Sequence, residues 1–260
     1  VCGIAGISIA SGIELDLTAT ARLLLAGLAE RGQDATGYAF HGPDGAVEVH
    51  KDSVRLAAFL EHVVIPNEAR NVILHVRDFT KGRPGLNDNN HPIRYGQVVG
   101  VHNGHLDNDD ELFAEMGKER STPHISVDSE AIMMLTDELG DLGPALTRVK
   151  GSAAVALLRD GEPERLSLAK RASRTLFVGT GHGVTLFAST REPLQLAAKA
   201  MDRRLTVGEV RDGTALEIET GQITSEERFA VDRRYVGRKL VTYPHLPEKA
   251  ALVRLALASF

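Results

Sequence analysis

A chain of 260 residues, 43% hydrophobic and 25% charged, has enough apolar material for one large domain or two small ones. Its net charge of -5 argues against a role in coating nucleic-acid phosphates, and its single cysteine excludes an internal disulfide framework. No stretch approaches about 18 unbroken apolar residues, and the apolar start is short, glycine-rich and without a basic leader, so neither a membrane span nor an export signal is expected and a cytoplasmic location fits.

In chain order, residues 2–10 read as a buried strand, and Leu17, Ala21, Leu24 and Leu28 recur at the spacing of an amphipathic helix that ends near Gly32. Residues 35–41 and 46–51 flank Gly42-Pro43-Asp44-Gly45, whose residue types supply the backbone angles of a tight turn, which predicts an antiparallel hairpin. A helix is expected over 53–62. Strands over 71–77 and 97–103 bracket a loop at 81–92 rich in Gly, Pro, Asn and Asp, and loops of that length tend to carry function. Helices follow over 109–117 and 129–140, the second with Asp128 placed as its cap.

From residue 151 onward the pattern is short strands punctuated by turns at 159–163, 181–183, 211–213 and 220–221, with one helix near 192–200. The chain becomes charged after about Thr224. A last segment, 247–260, carries Leu252, Leu255 and Leu257, and either packs back on the domain or faces a partner. Hairpin-linked strands with helices inserted in runs indicate an α+β fold with antiparallel sheets.

Most familiar chemical motifs are missing: there is no G-x-x-x-x-G-K-[ST] loop, no G-x-S-x-G elbow and no H-E-x-x-H helix. His102 and His105 stand beside an acidic run but lack a well-spaced third ligand, so neither a metal nor a cofactor is expected. What remains are short elements far apart in the chain: Cys2-Gly3-Ile4, Arg31-Gly32-Gln33-Asp34, His75-Val76-Arg77 with Thr80 and Gly82, Asn89 with His91-Pro92, His102-Asn103-Gly104, and Asp128-Ser129-Glu130. Each is weak alone. Asn103-Gly104 by itself reads as a turn, Arg77 as a surface ion-pair partner and Cys2 as a strand filler.

Together, and in this order, these elements resemble the class II glutamine amidotransferases, the N-terminal-nucleophile group, over roughly residues 2–224; the Asn89, His91, Pro92 piece looks like the hexosamine branch. The resemblance implies a four-layer αββα sandwich of two antiparallel sheets, the N-terminal-nucleophile hydrolase fold. The domain is expected over 1–225, with a C-terminal extension at 226–260 that could dock on a partner.

It further implies that Cys2 is the nucleophile, with its own α-amine, of free pKa about 7.7 to 8, as the base. Asn103 and Gly104 form the oxyanion hole through a side-chain NH2 and a backbone N–H. Arg77 holds the glutamine carboxylate, Asp128 its ammonium, Thr80 and His91 complete the pocket, and Arg31 lies near the nucleophile. Thiolate attack on the side-chain amide releases ammonia and leaves a thioester that water hydrolyses. With only about 35 residues after the domain, too few for an acceptor domain, ammonia is expected to pass to a separate synthase subunit. No nucleic-acid or membrane partner is expected, and a homo-oligomer is left open.

Three positions depart from the pattern. Val1 precedes Cys2 and turns the base into an amide nitrogen, unless it is a start codon read literally as valine and removed as the initiator. Asp78 stands where an aromatic residue often follows the arginine, with Phe79 beside it, and Lys81 stands where the hexosamine branch has histidine. Two alternatives follow: a stand-alone hydrolase of a γ-glutamyl or other small amide, or a catalytically silent glutamine-binding regulatory protein if Val1 is retained.

Overall fold

The computed structural model describes residues 2–232 and 247–260. Its first strand, β1 (Gly3–Ile9), is buried throughout and leads into helix α1 (Leu17–Gly27). The Asp16 carboxylate accepts the Ala19 N–H at 2.8 Å, satisfying one of the donors a helix start leaves open. The apolar stripe predicted from Leu17 to Leu28 is fully buried, but the helix closes earlier than Gly32, in a tighter 3₁₀ turn over Ala29–Arg31. Strands β2 (Ala35–His41) and β3 (Val47–Asp52) form the expected hairpin, with Phe40 opposite Glu48.

Helix α2 (Leu56–Leu60) is shorter than the 53–62 read from sequence. The backbone is extended at Arg55 (ψ 149°), which stops the helix on that side, and at the other end the His62 N–H turns to the Phe59 carbonyl in a tighter i to i−3 bond. Strand β4 (Asn71–Arg77) is followed by short β5 (Ile93–Tyr95) and long β6 (Val98–Leu106). Helices α3 (Asp109–Met116), α4 (Glu130–Leu139) and α5 (Leu142–Arg148) come next. Asp128 does not cap α4: its carboxylate accepts the Leu106 N–H instead, at 2.8 Å. Helix α5 is not among the elements expected from sequence; Gly143 and Pro144 both fall in its first turn, where proline removes a donor that has no helical partner anyway.

The second half alternates strands and one helix: β7 (Gly151–Arg159), β8 (Arg165–Arg171), β9 (Phe177–Gly181), β10 (Val184–Ala188), α6 (Arg191–Ala200), β11 (Thr206–Glu209), β12 (Thr214–Glu219) and β13 (Gln222–Arg228). Strand β13 carries the sheet past residue 225, and the Phe229 N–H still bonds the Gly213 carbonyl. The last element, α7 (Pro247–Leu257), packs back on α1: Leu252 and Ala256 join the core there, and the Lys249 ammonium lies 2.9 Å from Glu30 and 2.6 Å from Glu192. No helix of the described residues is long and apolar enough to cross a membrane.

The strands make two antiparallel sheets, one ordered β11-β9-β10-β1-β4-β2-β3 and the other β13-β12-β8-β7-β6-β5. Side chains alternate between faces with a period of two. In β1 and β4, Ala5, Ile7, Ile9, Val72, Leu74 and Val76 face α1 and its neighbours, whereas Ile4 and Ile73 face the other sheet. On β6, Val98 faces α4 and α5, while Val99 and Val101 meet Ile4 and Ile73 across the gap. Helices outside, two sheets inside, give the four-layer αββα sandwich that the resemblance implied, with three apolar clusters between the layers.

Candidate active site

The period of two that builds the core also builds the site. Cys2 shares parity with Ile4, His75 and Arg77 with Ile73, and Asn103 with Val101, so all of these point into the gap between the sheets. They do so at one end, where β1 begins and β4 stops. Pairing of Gly3 with Val76 leaves Cys2 beside the end of β4, and its Sγ donates to the Asp78 carbonyl at 3.4 Å. A second tie closes this end, since His75 Nε2 lies 3.3 Å from the His102 carbonyl and joins the two sheets.

The Arg31-Gly32-Gln33-Asp34 element is a buckle. Arg31 Nε donates to the Cys2 carbonyl at 3.1 Å, the Asp34 N–H donates to the Arg77 carbonyl at 2.9 Å, and the Asp34 carboxylate accepts the Phe79 N–H at 2.9 Å. Gly32 lies against the Arg77 backbone, where a Cβ would come within 2.5 to 2.6 Å of its N, C and O atoms, so no side chain fits. One tetrapeptide thus fixes the start of β1, the end of β4 and the entry to the following loop.

Arg77 is 2% exposed and held by the protein itself. Its Nη1 donates to Asn90 Oδ1 at 2.5 Å, and its Nη2 donates to the carbonyls of Lys81 and Gly82 at 2.8 and 2.6 Å. Both parallel N–H pairs that a guanidinium offers to a carboxylate use an Nη2 hydrogen. The 81–82 turn therefore occupies the fork that the sequence reading assigned to a substrate carboxylate. Burial lowers the Arg77 pKa, countered by the facing carboxylates of Asp34 and Asp128. Thr80 and Phe79 are exposed on the same loop, Phe79 by 51%.

His91 and His102 are buried and meet at one hydroxyl: His91 Nε2 and His102 Nδ1 each lie 2.8 Å from Ser129 Oγ. Because His102 Nε2 faces the Ser152 carbonyl at 3.3 Å, it must carry the proton; Nδ1 then accepts from Ser129, and Ser129 accepts from His91 Nε2. That chain leaves the His91 Nδ1 lone pair without a partner, and the His91 ring stacks on His75 with centroids 4.2 Å apart. Burial drives the pKa of His75, His91 and His102 below the ordinary imidazole value, and neighbouring Arg77 and the other imidazoles push His75 and His91 the same way. All three are neutral at pH 7.

Asp128 is buried beside them. One carboxylate oxygen accepts from the Leu106 N–H and lies 3.6 Å from His105 Nδ1, while the other, among the described residues, has the Ser129 hydroxyl at 3.5 Å and capacity for another donor. Asn103, 1% exposed, has its Nδ2 amide buried with no acceptor among the described residues. A buried unpartnered NH2 costs about 1 to 3 kcal/mol, so a guest that brings an acceptor here recovers that amount. Gly104 follows against the Ser152 carbonyl, 1.9 Å from where a Cβ would stand. Arg31 Nη2 is also buried without an acceptor. Burial raises the Cys2 thiol pKa above its usual value, so at neutral pH the sulfur rests as a thiol and needs a base to attack.

Lys51 and Arg120 were not singled out from the sequence, nor was the partner of Lys81. Lys51 donates to the Asn90 and Pro92 carbonyls at 2.7 and 3.0 Å, and burial brings its pKa down to about 8. Lys81 reaches Asp109 on α3, and Arg120 bonds Asp109, Asp110 and Glu130. No sequence spacing links such partners; only the fold brings them together. A separate cleft of about 470 Å³, between the β11 and β13 edges, is lined by none of the site residues.

A sandwich of this layering is the N-terminal-nucleophile hydrolase-like fold. Comparison with known proteins narrows the class. Residues 84–196 match the family described as glutamine amidotransferase domain. Glutamine–fructose-6-phosphate aminotransferase (isomerizing) of Gluconobacter oxydans is 32% identical over 234 residues, which cover 86% of this chain and 36% of that protein. Its namesake from Pyrobaculum aerophilum is 30% identical over 238 residues, covering 88% and 37%. The chain thus spans little more than a third of the length of these curated relatives.

Among solved structures, glutamine phosphoribosylpyrophosphate amidotransferase from B. subtilis superposes with a TM-score of 0.69 at 21% identity, over 88% of this chain and 49% of that one. A glutamine aminotransferase class-II domain protein from Silicibacter pomeroyi gives 0.53 at 18% identity, over 88% of this chain and all of that one. This chain carries a class II glutamine amidotransferase-type domain.

Proposed function

We propose that this domain hydrolyses the side-chain amide of glutamine with Cys2 as nucleophile and delivers the ammonia to an acceptor enzyme. The observation that carries the reading is the Asn103 amide: a buried NH2 without an acceptor among the described residues, on the gap-facing side of β6 and sharing that gap with the sulfur. In the reaction, the free α-amine of Cys2 takes the thiol proton, which burial would otherwise keep on the sulfur. The thiolate attacks the amide carbon, and the developing oxyanion is held by Asn103 Nδ2 and the Gly104 N–H. The amine returns the proton to the leaving nitrogen, ammonia departs, and water attacks the γ-glutamyl thioester by the reverse use of the same groups.

At the other end of the substrate, Arg77 receives the α-carboxylate and the under-used oxygen of Asp128 receives the α-ammonium. Thr80 belongs to the loop that closes the pocket. His91, bonded to Ser129, and Arg31, bonded to the Cys2 carbonyl, hold the walls in place. No group outside the chain is required for these steps. Transfer of the ammonia to an acceptor accords with relatives that are named for aminating fructose 6-phosphate at the expense of glutamine. The domain runs at least to the end of β13 at Arg228, beyond the 225 expected from sequence, and the segment after it ends in α7, whose exposed Leu255 and Leu257 make it the candidate docking element.

Ammonia release from glutamine, measured on protein whose first residue is established by intact mass, tests the reading. Chains beginning at Cys2 should release one ammonia and one glutamate per turnover. Binding of glutamine with no release from such chains would instead support a silent sensor.

A further inference from the structure

Lys81 joins two parts of the site through one residue. Its carbonyl, with that of Gly82, takes the Nη2 hydrogens of Arg77. Its ammonium lies 2.5 Å from Asp109 and 3.5 Å from Asp110, at the start of α3. Asp109 is buried and is fixed from behind by Arg120 at 2.7 Å, which also bonds the Val127 carbonyl and Glu130. An ammonium on a buried, already anchored carboxylate makes a charge-assisted bond that solvent screens only in part. The turn that occupies the Arg77 fork is therefore tied down at its own side chain.

We propose that Lys81 is a positioning residue: its ion pair with Asp109 latches the 81–82 turn over Arg77, and glutamine gains the guanidinium only when that turn lifts. The inference rests on the glutaminase reading and deepens it, by naming what sets the affinity for the amino-acid end of the substrate. If only the unlatched fraction of molecules offers the fork, apparent affinity is reduced by that fraction. Weakening the latch should then tighten glutamine binding. Lys81 can be replaced without stranding a charge, since Asp109 keeps Arg120.

The test compares the parent protein with Lys81→Met, Lys81→Arg and Asp109→Asn in two measurements, steady-state ammonia release from glutamine and amide hydrogen exchange of residues 79–86 without substrate. The latch predicts that Lys81→Met and Asp109→Asn lower KM for glutamine by roughly 3- to 10-fold, with kcat unchanged within about twofold. Exchange over 79–86 should quicken in both, and Lys81→Arg should restore the parent's values. Added salt should lower KM of the parent and leave that of Lys81→Met unchanged.

A KM that is unchanged or raised in Lys81→Met would overturn the latch, as would unaltered exchange; a plain structural role would lower kcat and stability together. If no protein with a free Cys2 amine releases ammonia, the glutaminase reading falls. The exchange data still decide the latch: faster exchange reversed by arginine supports it, and unaltered exchange refutes it.

Discussion

Strand β6 passes through two environments with one and the same alternation. In its first half, Val99 and Val101 enter the gap between the sheets and meet Ile4, Ile73 and Leu168, a dry contact that needs nothing further. In its second half, Asn103 enters the same gap just as deeply buried, yet its amide has no acceptor among the described residues, and His75, His91 and Arg31 each leave a buried nitrogen without a partner among them. Folding alone gives no reason to bury such groups, since each costs about 1 to 3 kcal/mol. The difference separates residues that hold the sheets together from residues whose buried donors (Asn103, Arg31) and acceptors (His75, His91) await partners from a ligand.

The largest effect that would break this contrast is at the sulfur. Cys2→Ala should abolish ammonia release from glutamine, by at least about a thousandfold, with the circular dichroism and urea midpoint of the parent, because the thiol makes one long contact and no packing core. Next, Asn103→Ala should cut kcat by roughly 10²- to 10³-fold, about 2.7 to 4 kcal/mol of barrier, while stability changes by less than about 1 kcal/mol. Leu168→Ala, on the dry side of the same gap, should do the reverse. It should cost about 2 to 5 kcal/mol in urea unfolding and leave turnover of the folded protein intact. Equal losses of activity in both variants would mean that the two halves of the gap do not differ as described.

The buried imidazoles sharpen the contrast by pH. Their folded pKa values lie below the unfolded value near 6.5, so the folded state resists protons that the unfolded chain accepts. Stability is therefore full above about pH 6.5 and falls as pH drops below it, by up to about 4 kcal/mol per unit if all three stay neutral. Urea titrations at pH 7.5 and 5.5 measure the slope, and His91→Asn should remove roughly a third of it.

Much of this was legible before folding. The strand at 71–77, the hairpin and the helix beginning near Leu17 follow from periodicity and turn residues that act locally. The order of the short motifs pointed to residues that the fold gathers at one end of the gap. What could not be read is what depends on partners distant in sequence. Asp128 looked like a helix cap because Asp before a helix usually is one, but tertiary contact gave its carboxylate the Leu106 N–H. Arg77 looked free for a ligand, and only the folded loop shows the Lys81 and Gly82 carbonyls on it. Helix α5, with Gly143-Pro144 in its first turn, was not among the elements expected from sequence.

The smallest effect concerns the scaffold alone. Asp16→Ala removes the cap of α1 and should lower stability by about 1 kcal/mol, seen as a shifted urea midpoint, with KM and kcat for glutamine unchanged.

The polar end of the gap is tested most directly by trapping. A γ-diazoketone analogue of glutamine, added to protein of known intact mass, should alkylate Cys2 with one label per chain and abolish ammonia release in proportion, only in chains whose first residue is Cys2. Turnover that persists in fully labelled protein, or runs at the same rate in chains that retain Val1, would contradict the account.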